Sequence, residues 1–400
     1  MSALPSALPH QRRRLARRGP SESSEHGLLR ALGRVLLGIA IAMGIVVAFA
    51  SVMRLQHVSL PAVTGDSAVG RVEIALSDSG REDPFAADGR SRELAVWIWY
   101  PAVSGSSQTS AEYLPASWAP LVADVPLAQD LTAVSTSALA DATLDGRPPV
   151  VVLQPGLGQP VASYSSLAED LASHGYAVIG INETESAATV FPDGHVVAAT
   201  PLGGVSGMDV DAWYASAERV ANVWVADAQF VVAELEATPP AIGALDFNRV
   251  AYIGHSMGGA AAFEACNQDS RCAGAADLDG TLWTDVRQGG LTAPRLLIQR
   301  APDEACDEFC SRAEADFATV MAAGDSAQLS VAGAVHQNFS DAGLMWGIAN
   351  GVALGPIDAD RMTGIVRDTV RSFLDVHVLG ASPEDFASTV ARYAELSSTK

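Results

Sequence analysis

Lysine is all but missing from this chain: of its 25 lysine and arginine residues only Lys400 is a lysine, which we read as codon usage rather than function. Basic charge is also sparse beyond residue 54, where 17 Lys and Arg face 44 Asp and Glu. Residues 1–54 hold eight arginines against Glu22 and Glu25, a net +6, so the total of −21 leaves −27 on the rest. A body this acidic excludes nucleic acid as a partner, because that affinity comes from neutralising phosphates with Lys and Arg. Cysteine is scarce, at Cys266, Cys272, Cys306 and Cys310. No histidine stands near either pair at zinc-like spacing, which argues against a metal site. An even count points instead to two disulfides in an oxidising compartment, with all three pairings open. Neither a metal nor an organic cofactor is implied, no internal repeat is present, and nothing calls for an obligate protein partner.

What is present begins with an arginine-rich arm followed by an uncharged apolar run, Val35–Met53, bracketed by Arg34 and Arg54. Its length is close to the ~20 residues that cross a bilayer as a helix. The positive-inside rule keeps the arm cytoplasmic and exports everything after Arg54. Ala48-Phe49-Ala50 also fits a signal-peptidase site, so the exported part is membrane-anchored, or secreted if cleavage falls near Ala50. The long leader favours an uncleaved anchor, and no cysteine ends the run to make a lipoprotein. The expected organisation is a basic arm (1–34), a transmembrane or signal-anchor segment (35–53), a linker (54–70) and one catalytic domain (71–400).

At 400 residues and 48% hydrophobic content the chain can bury a substantial core. Val72–Leu76 and Leu94–Tyr100 alternate as strands, and residues 112–147 read as a segment covering one end of the sheet. From Val150 the pattern becomes strand, helix, strand, helix. Val150–Leu153 is continuously apolar, as expected of a strand buried on both faces. Ala177–Ile181, Arg249–Ile253, Ala273–Leu278, Arg295–Gln299 and Gln328–Ala332 supply further strands. Helices are expected at Tyr164–Ser173, Trp213–Leu235, Met362–Val376 and Pro383–Leu396, with a long Gly- and Thr-rich excursion at 184–208. Such alternation predicts an α/β fold: a mainly parallel central sheet with helices on both faces.

Gly254-His255-Ser256-Met257-Gly258 follows the strand Arg249–Ile253 and opens a helix-prone Ala260-Ala261-Ala262 run. In that setting G-x-S-x-G lifts the serine hydroxyl clear of the sheet on a sharp turn. A serine hydroxyl needs a base, and the hydrolase order on such sheets is Ser, acid, His. His336 and His377 follow Ser256; His336 lies in a loop beyond a strand, whereas His377 falls on or at the end of a helix, where a surface or capping role fits better. The acid is Asp279 or Asp303, each beyond a strand; Asp277, within the strand, is expected to point away from Asp279. The oxyanion hole takes the amide of Met257 and that of Leu157, in the loop Gln154-Pro155-Gly156-Leu157-Gly158.

Gly156-Leu157-Gly158, Asp170–Tyr176, the Gly254–Gly259 turn and Val335-His336-Gln337-Asn338-Phe339 together resemble the secreted, plasma-type platelet-activating factor acetylhydrolases and their bacterial relatives, within the α/β-hydrolase superfamily. The similarity runs from about Val72 to the C-terminal helices. It implies that Leu278-Asp279 carries the acid, leaving Asp303 the alternative, and that His174 sits at a structural turn. Gln154-Pro155 departs from the Ser-His often found there, and Gly280-Thr281-Leu282 lacks the bulk of the animal enzymes. The resemblance implies a serine ester hydrolase acting on short-acyl or oxidised phospholipids or small soluble esters. The apolar stretch 344–348 would border the acyl pocket or touch lipid, or belong to the core. The rival readings are a polyester, cutinase-like or general carboxylesterase, which would favour Asp303, and a non-catalytic binding module on the same fold.

Overall fold

Unbroken apolar runs without proline or charge make two different kinds of element in this chain, a lone helix and a set of buried strands. The computed structural model describes residues 22–54, 57–122, 130–301, 307–322, 324–345 and 354–398, and divides into two units, Met1–Val52 and Met53–Lys400. In the first, Glu22–Arg54 forms one helix (α1), of which Leu29–Val52 has the length to cross a membrane and reaches a mean hydropathy of 2.7 over an 18-residue window. Its 24 residues span roughly 36 Å at ~1.5 Å per residue, more than the ~30 Å of bilayer hydrocarbon.

The second unit is built on a ten-stranded sheet. In chain order the strands are β1 (Ala68–Glu82), β2 (Ser91–Ala102), β3 (Ala138–Ala140), β4 (Pro149–Gln154), β5 (Ala177–Asn182), β6 (Asp246–His255), β7 (Cys272–Leu278), β8 (Arg295–Arg300), β9 (Ser326–Val331) and β10 (Leu396–Ser398). Across the sheet they run β10-β9-β8-β7-β6-β4-β5-β2-β1-β3. The six strands from β4 to β9 are parallel to one another. β2 runs against β5 and β1, and β10 against β9.

Alternation along β4 explains the layers. Val150 and Val152 face one side with helices α3 (Val210–Ala237) and α4 (Met257–Gln268), while Val151 and Leu153 face the other with α2 (Ser165–Ser173) and α6 (Ala359–Leu374). Helix α5 (Glu308–Val320) adds Phe317 and Val320 to the first side. All four β4 residues are buried, so each large-to-small exchange there removes about 1–3 kcal/mol of transfer free energy before any cavity term. The chain lays β4 and β5 in one direction and then places β6 on the other flank of β4. The carboxyl ends of β4 and β6 therefore face each other across the point where the strand order reverses, which is where open α/β sheets hold their ligands.

Three expectations need correction. Residues 57–70, taken as part of a linker, are bound to the body: Val58–Ser59 pairs with Val134–Ser135, Thr64 donates to Asp170, and β1 begins at Ala68. Residues 138–140 form an edge strand beside β1, so the expected covering segment extends the sheet. The last helix (α7, Pro383–Ala391) stops short of Leu396, and β10 pairs with β9 instead.

Candidate active site

Ser256 stands between the last residue of β6 and the first of α4 with φ +56° and ψ −118°, in the left-handed half of backbone space. A non-glycine residue held there costs about 1–3 kcal/mol and persists only where its surroundings over-determine it. Here three glycines do so. A Cβ on Gly254 would come within 2.3 Å of the Gly258 backbone; one on Gly258 within 2.2 Å of the Gln154 carbonyl oxygen and 2.4 Å of that of Pro155; one on Gly259 within 2.0 Å of Asp277 Oδ1. The same close approach at Gly258 brings the loop carrying Leu157 against the start of α4. Met257 opens that helix, so its N–H has no intrahelical acceptor and is available to a developing oxyanion. Leu157 lies in the facing turn and packs against the core.

His336 Nε2 lies 2.9 Å from Ser256 Oγ, and His336 Nδ1 lies 2.6 Å from Asp279 Oδ2. With Nδ1 donating to the carboxylate, Nε2 is the bare nitrogen that accepts the serine hydroxyl. The histidine sits in a short turn, His336–Phe339, held from below by Asn338, whose Oδ1 accepts the N–H groups of Val335 and Gly355 at 2.9 Å each. Asp279 also has positive φ, +54°, and its carboxylate is doubly clamped by Arg300: the backbone N–H reaches Oδ1 at 2.8 Å and Nη1 reaches Oδ2 at 2.6 Å. Burial alone would raise its pKa; the hydrogen bond from His336 and the Arg300 charge outweigh that and hold the carboxyl below its usual range. Asp279 therefore stays ionised and keeps the imidazole aimed.

Asp277 turns to the other side of β7, where it is fully buried and accepts the Gly280 N–H at 2.8 Å. Burial, with the charge of Asp279 nearby, pushes its carboxyl well above the usual range. His377 lies in the turn after α6, where its carbonyl accepts from Arg249, far along the chain from the serine. His174 ends α2 and meets Thr64 Oγ1 at 2.9 Å. Asp303 and Cys306 lie outside the described residues. Cys266 and Cys272 form a disulfide joining the end of α4 to the start of β7, and Cys310 is also disulfide-bonded. Of the apolar stretch 344–348, Leu344 and Met345 pack into the core and 346–348 lie outside the described residues. Among the described residues no group of three His, Cys, Asp or Glu side chains is arranged to hold a metal.

Sequence reasoning passed over Arg300, Asn338, Tyr164 and His255. His255 was in view as the x of G-x-S-x-G, but nothing in the pattern says what it touches.

A serine on a strained strand-to-helix turn, hydrogen-bonded through a histidine to a buried aspartate on a mostly parallel sheet, defines an α/β hydrolase. The sequence profile of platelet-activating factor acetylhydrolase, isoform II, matches residues 217–378, a span that contains Ser256, Asp279 and His336. A probable 1-alkyl-2-acetylglycerophosphocholine esterase of Arthroderma benhamiae is 27% identical over 144 residues, 36% of this chain and 34% of that protein. The match thus covers about a third of that relative's length. The solved structure of a ferulic acid esterase from Streptomyces cinnamoneus superposes with a TM-score of 0.74 at 29% identity, covering 86% of this chain and all of that one. The chain is an α/β hydrolase that resembles the platelet-activating factor acetylhydrolases over residues 217–378 and has esterases among its relatives.

Proposed function

We propose that the protein is a serine ester hydrolase in which Ser256 is the nucleophile, His336 the general base and acid, and Asp279 the group that holds the imidazole. The observation that carries this reading is the unbroken Ser256–His336–Asp279 hydrogen-bond chain. Ser256 Oγ attacks the ester carbonyl as its proton passes to His336 Nε2. The imidazolium, paired with ionised Asp279, then returns the proton to the leaving alkoxide. The amides of Met257 and Leu157 stabilise the tetrahedral oxyanion, and water repeats the sequence to release the acid from the acyl-enzyme. The substrate class is a small-molecule or short-acyl lipid ester, including short-acyl and oxidised phospholipids. The likeness over most of the chain to a ferulic acid esterase favours, as a second reading, small soluble esters with an aromatic acid. The apolar helix α1 fits a signal anchor or a signal sequence, and the long arginine-rich leader favours the uncleaved anchor with the hydrolase extracytoplasmic.

The full chain in mild detergent is assayed with p-nitrophenyl esters of increasing length, a short-acyl phospholipid and methyl ferulate, beside Ser256→Ala. Turnover of the short esters, lost at least 10³-fold in the variant, is expected; equal rates in both proteins overturn the reading. Preference between phospholipid and ferulate decides the substrate class. The mass of the protein recovered from membranes distinguishes an intact anchor from cleavage near Ala50.

A further inference from the structure

Two buried side chains beside the serine link the loops of the proposed machinery, and neither touches the reacting atoms. Tyr164 closes the short turn Val161–Tyr164 before α2, and its hydroxyl accepts the Gly156 N–H at 2.9 Å. The same oxygen lies 2.7 Å from Nδ1 of His255, the residue just before the nucleophile. His255 Nε2 in turn lies 3.0 Å from the backbone carbonyl oxygen of His336. The Tyr164 hydroxyl also meets the Gln159 side-chain amide, and that amide meets the Gln337 amide at 2.7 Å.

Hydrogen-bond bookkeeping orders these contacts. A carbonyl oxygen only accepts, so His255 Nε2 carries the ring proton. Burial, and next the nearness of His336, push the His255 pKa down to about 3, so the ring is neutral and its Nδ1 is bare. Tyr164 must therefore donate to Nδ1. Its lone pairs are then left for two donors, the Gly156 N–H and the NH₂ end of the Gln159 amide. Gln159 is placed with Oε1 towards Tyr164 and Nε2 towards Gln337 Oε1, so this ordering requires both amides in the flipped orientation, with Gln337 donating to the Gln159 carbonyl. Every bond then points one way, from Gln337 through Gln159, Tyr164 and His255 to the His336 carbonyl, and the ring closes because 336 and 337 are neighbours in sequence.

We propose that Tyr164 and His255 are positioning residues that lock the oxyanion loop at Gly156 and the backbone of the base His336 into one register against the nucleophile turn. This rests on the serine-hydrolase reading above. The space around Gly156 agrees with it: a Cβ there would come within 2.9 Å of His255 Nδ1 and 3.2 Å of the Tyr164 oxygen, so loop and pair are in van der Waals contact. Neutrality of His255 matters as well. Its ring centroid lies 4.5 Å from that of His336, where a second cation would oppose formation of the imidazolium.

Tyr164→Phe in the full chain tests this against Tyr176→Phe, which removes an equally buried hydroxyl, bonded at 2.8 Å to Asp375, away from the serine. With p-nitrophenyl acetate, Tyr164→Phe should lower kcat roughly 10- to 100-fold at a KM within about two-fold, and slow labelling by a serine-directed phosphonate in parallel; Tyr176→Phe should do neither. His255→Gln, which keeps an N–H for the His336 carbonyl, should retain more activity than His255→Leu. Nitrogen NMR of wild type should show His255 as one neutral, Nε2-protonated tautomer from pH 5 to 8. The proposal is overturned if Tyr164→Phe loses thermal stability alone, or if its kcat and KM match those of Tyr176→Phe. An active Ser256→Ala would instead remove the reading beneath it, so the two failures are told apart.

Discussion

Asp277 lies within β7 and Asp279 just past its end, and the two differ because the chain turns at Asp279, whose φ of +54° swings its carboxylate towards His336 and Arg300. Asp279 meets a guanidinium, an imidazole and a backbone N–H, which hold its carboxyl below the usual range, whereas Asp277 meets little besides the Gly280 N–H and burial pushes its carboxyl well above that range. Asp279→Asn is therefore expected to lower kcat about 10⁴-fold, since the amide presents the wrong partner to His336 Nδ1. In Asp277→Asn an isosteric amide, whose oxygen still accepts from Gly280, replaces a carboxyl that burial already pushes towards its neutral form, so kcat should stay within about three-fold. Equal losses in the two variants, read on one p-nitrophenyl ester, would contradict this assignment. Residue patterns alone leave Asp279 and Asp303 open, because both follow strands; the 2.6 Å approach of Asp279 to His336 is what supports the proposal of Asp279. The proposed nucleophile and base are legible in the sequence because each stands in a local motif whose geometry is set by its immediate neighbours.

At the scale of elements, α4 carries the serine at its start and a disulfide at its end. Cys266 and Cys272 are six residues apart, so the bond closes a small loop and restricts the unfolded chain little. The chain-entropy relation gives about 2 kcal/mol for a loop of that size. Changing both cysteines to Ala should lower stability by about that amount in urea titration and leave kcat unchanged, because the bond lies at the end of α4 remote from Ser256. The glycines at the helix start behave differently. Gly258→Ala drives a methyl group into the Gln154 and Pro155 carbonyls, so the oxyanion loop must retreat, and kcat should fall at least 10-fold. A Gly258→Ala enzyme with wild-type kcat would show that the loop does not take part. The parallel strands were read from their apolar runs within a few residues. The edge strands β3 and β10 were not, because short strands paired on one side carry too little periodicity to stand out from coil.

Across the whole molecule the acidic composition is not confined to the surface. Behind the histidine loop, α2 and the turn at Asp341–Leu344 bury a carboxylate cluster next to Arg367. Burial is the main cause that raises Glu169 to about 7 and Asp341 to about 6, and the charge of Asp341 raises Glu169 further. A folded-state pKa above the unfolded value contributes stability that is complete below about pH 4 and lost as pH rises through 6–7. For Glu169 that amounts to about 3 kcal/mol, converted at about 1.4 kcal/mol per pH unit. The melting temperature should therefore drop between pH 5 and 8 in wild type, and Glu169→Gln should flatten the drop. A parallel pH dependence in the variant would rule out Glu169 as its source.

Charge segregation, the apolar helix, the alternation of strand and helix, and the G-x-S-x-G and V-H-Q-N-F motifs are local properties, and each could be read from the order of residues because its physical cause lies within a few positions. The partner of His336, the clamp of Arg300 on Asp279, the course of the second half of the presumed linker and the Tyr164–His255 bridge each join residues 20 to more than 100 positions apart. Those pairings follow from strand order and from which face of the sheet a side chain leaves, and only the packed chain specifies both.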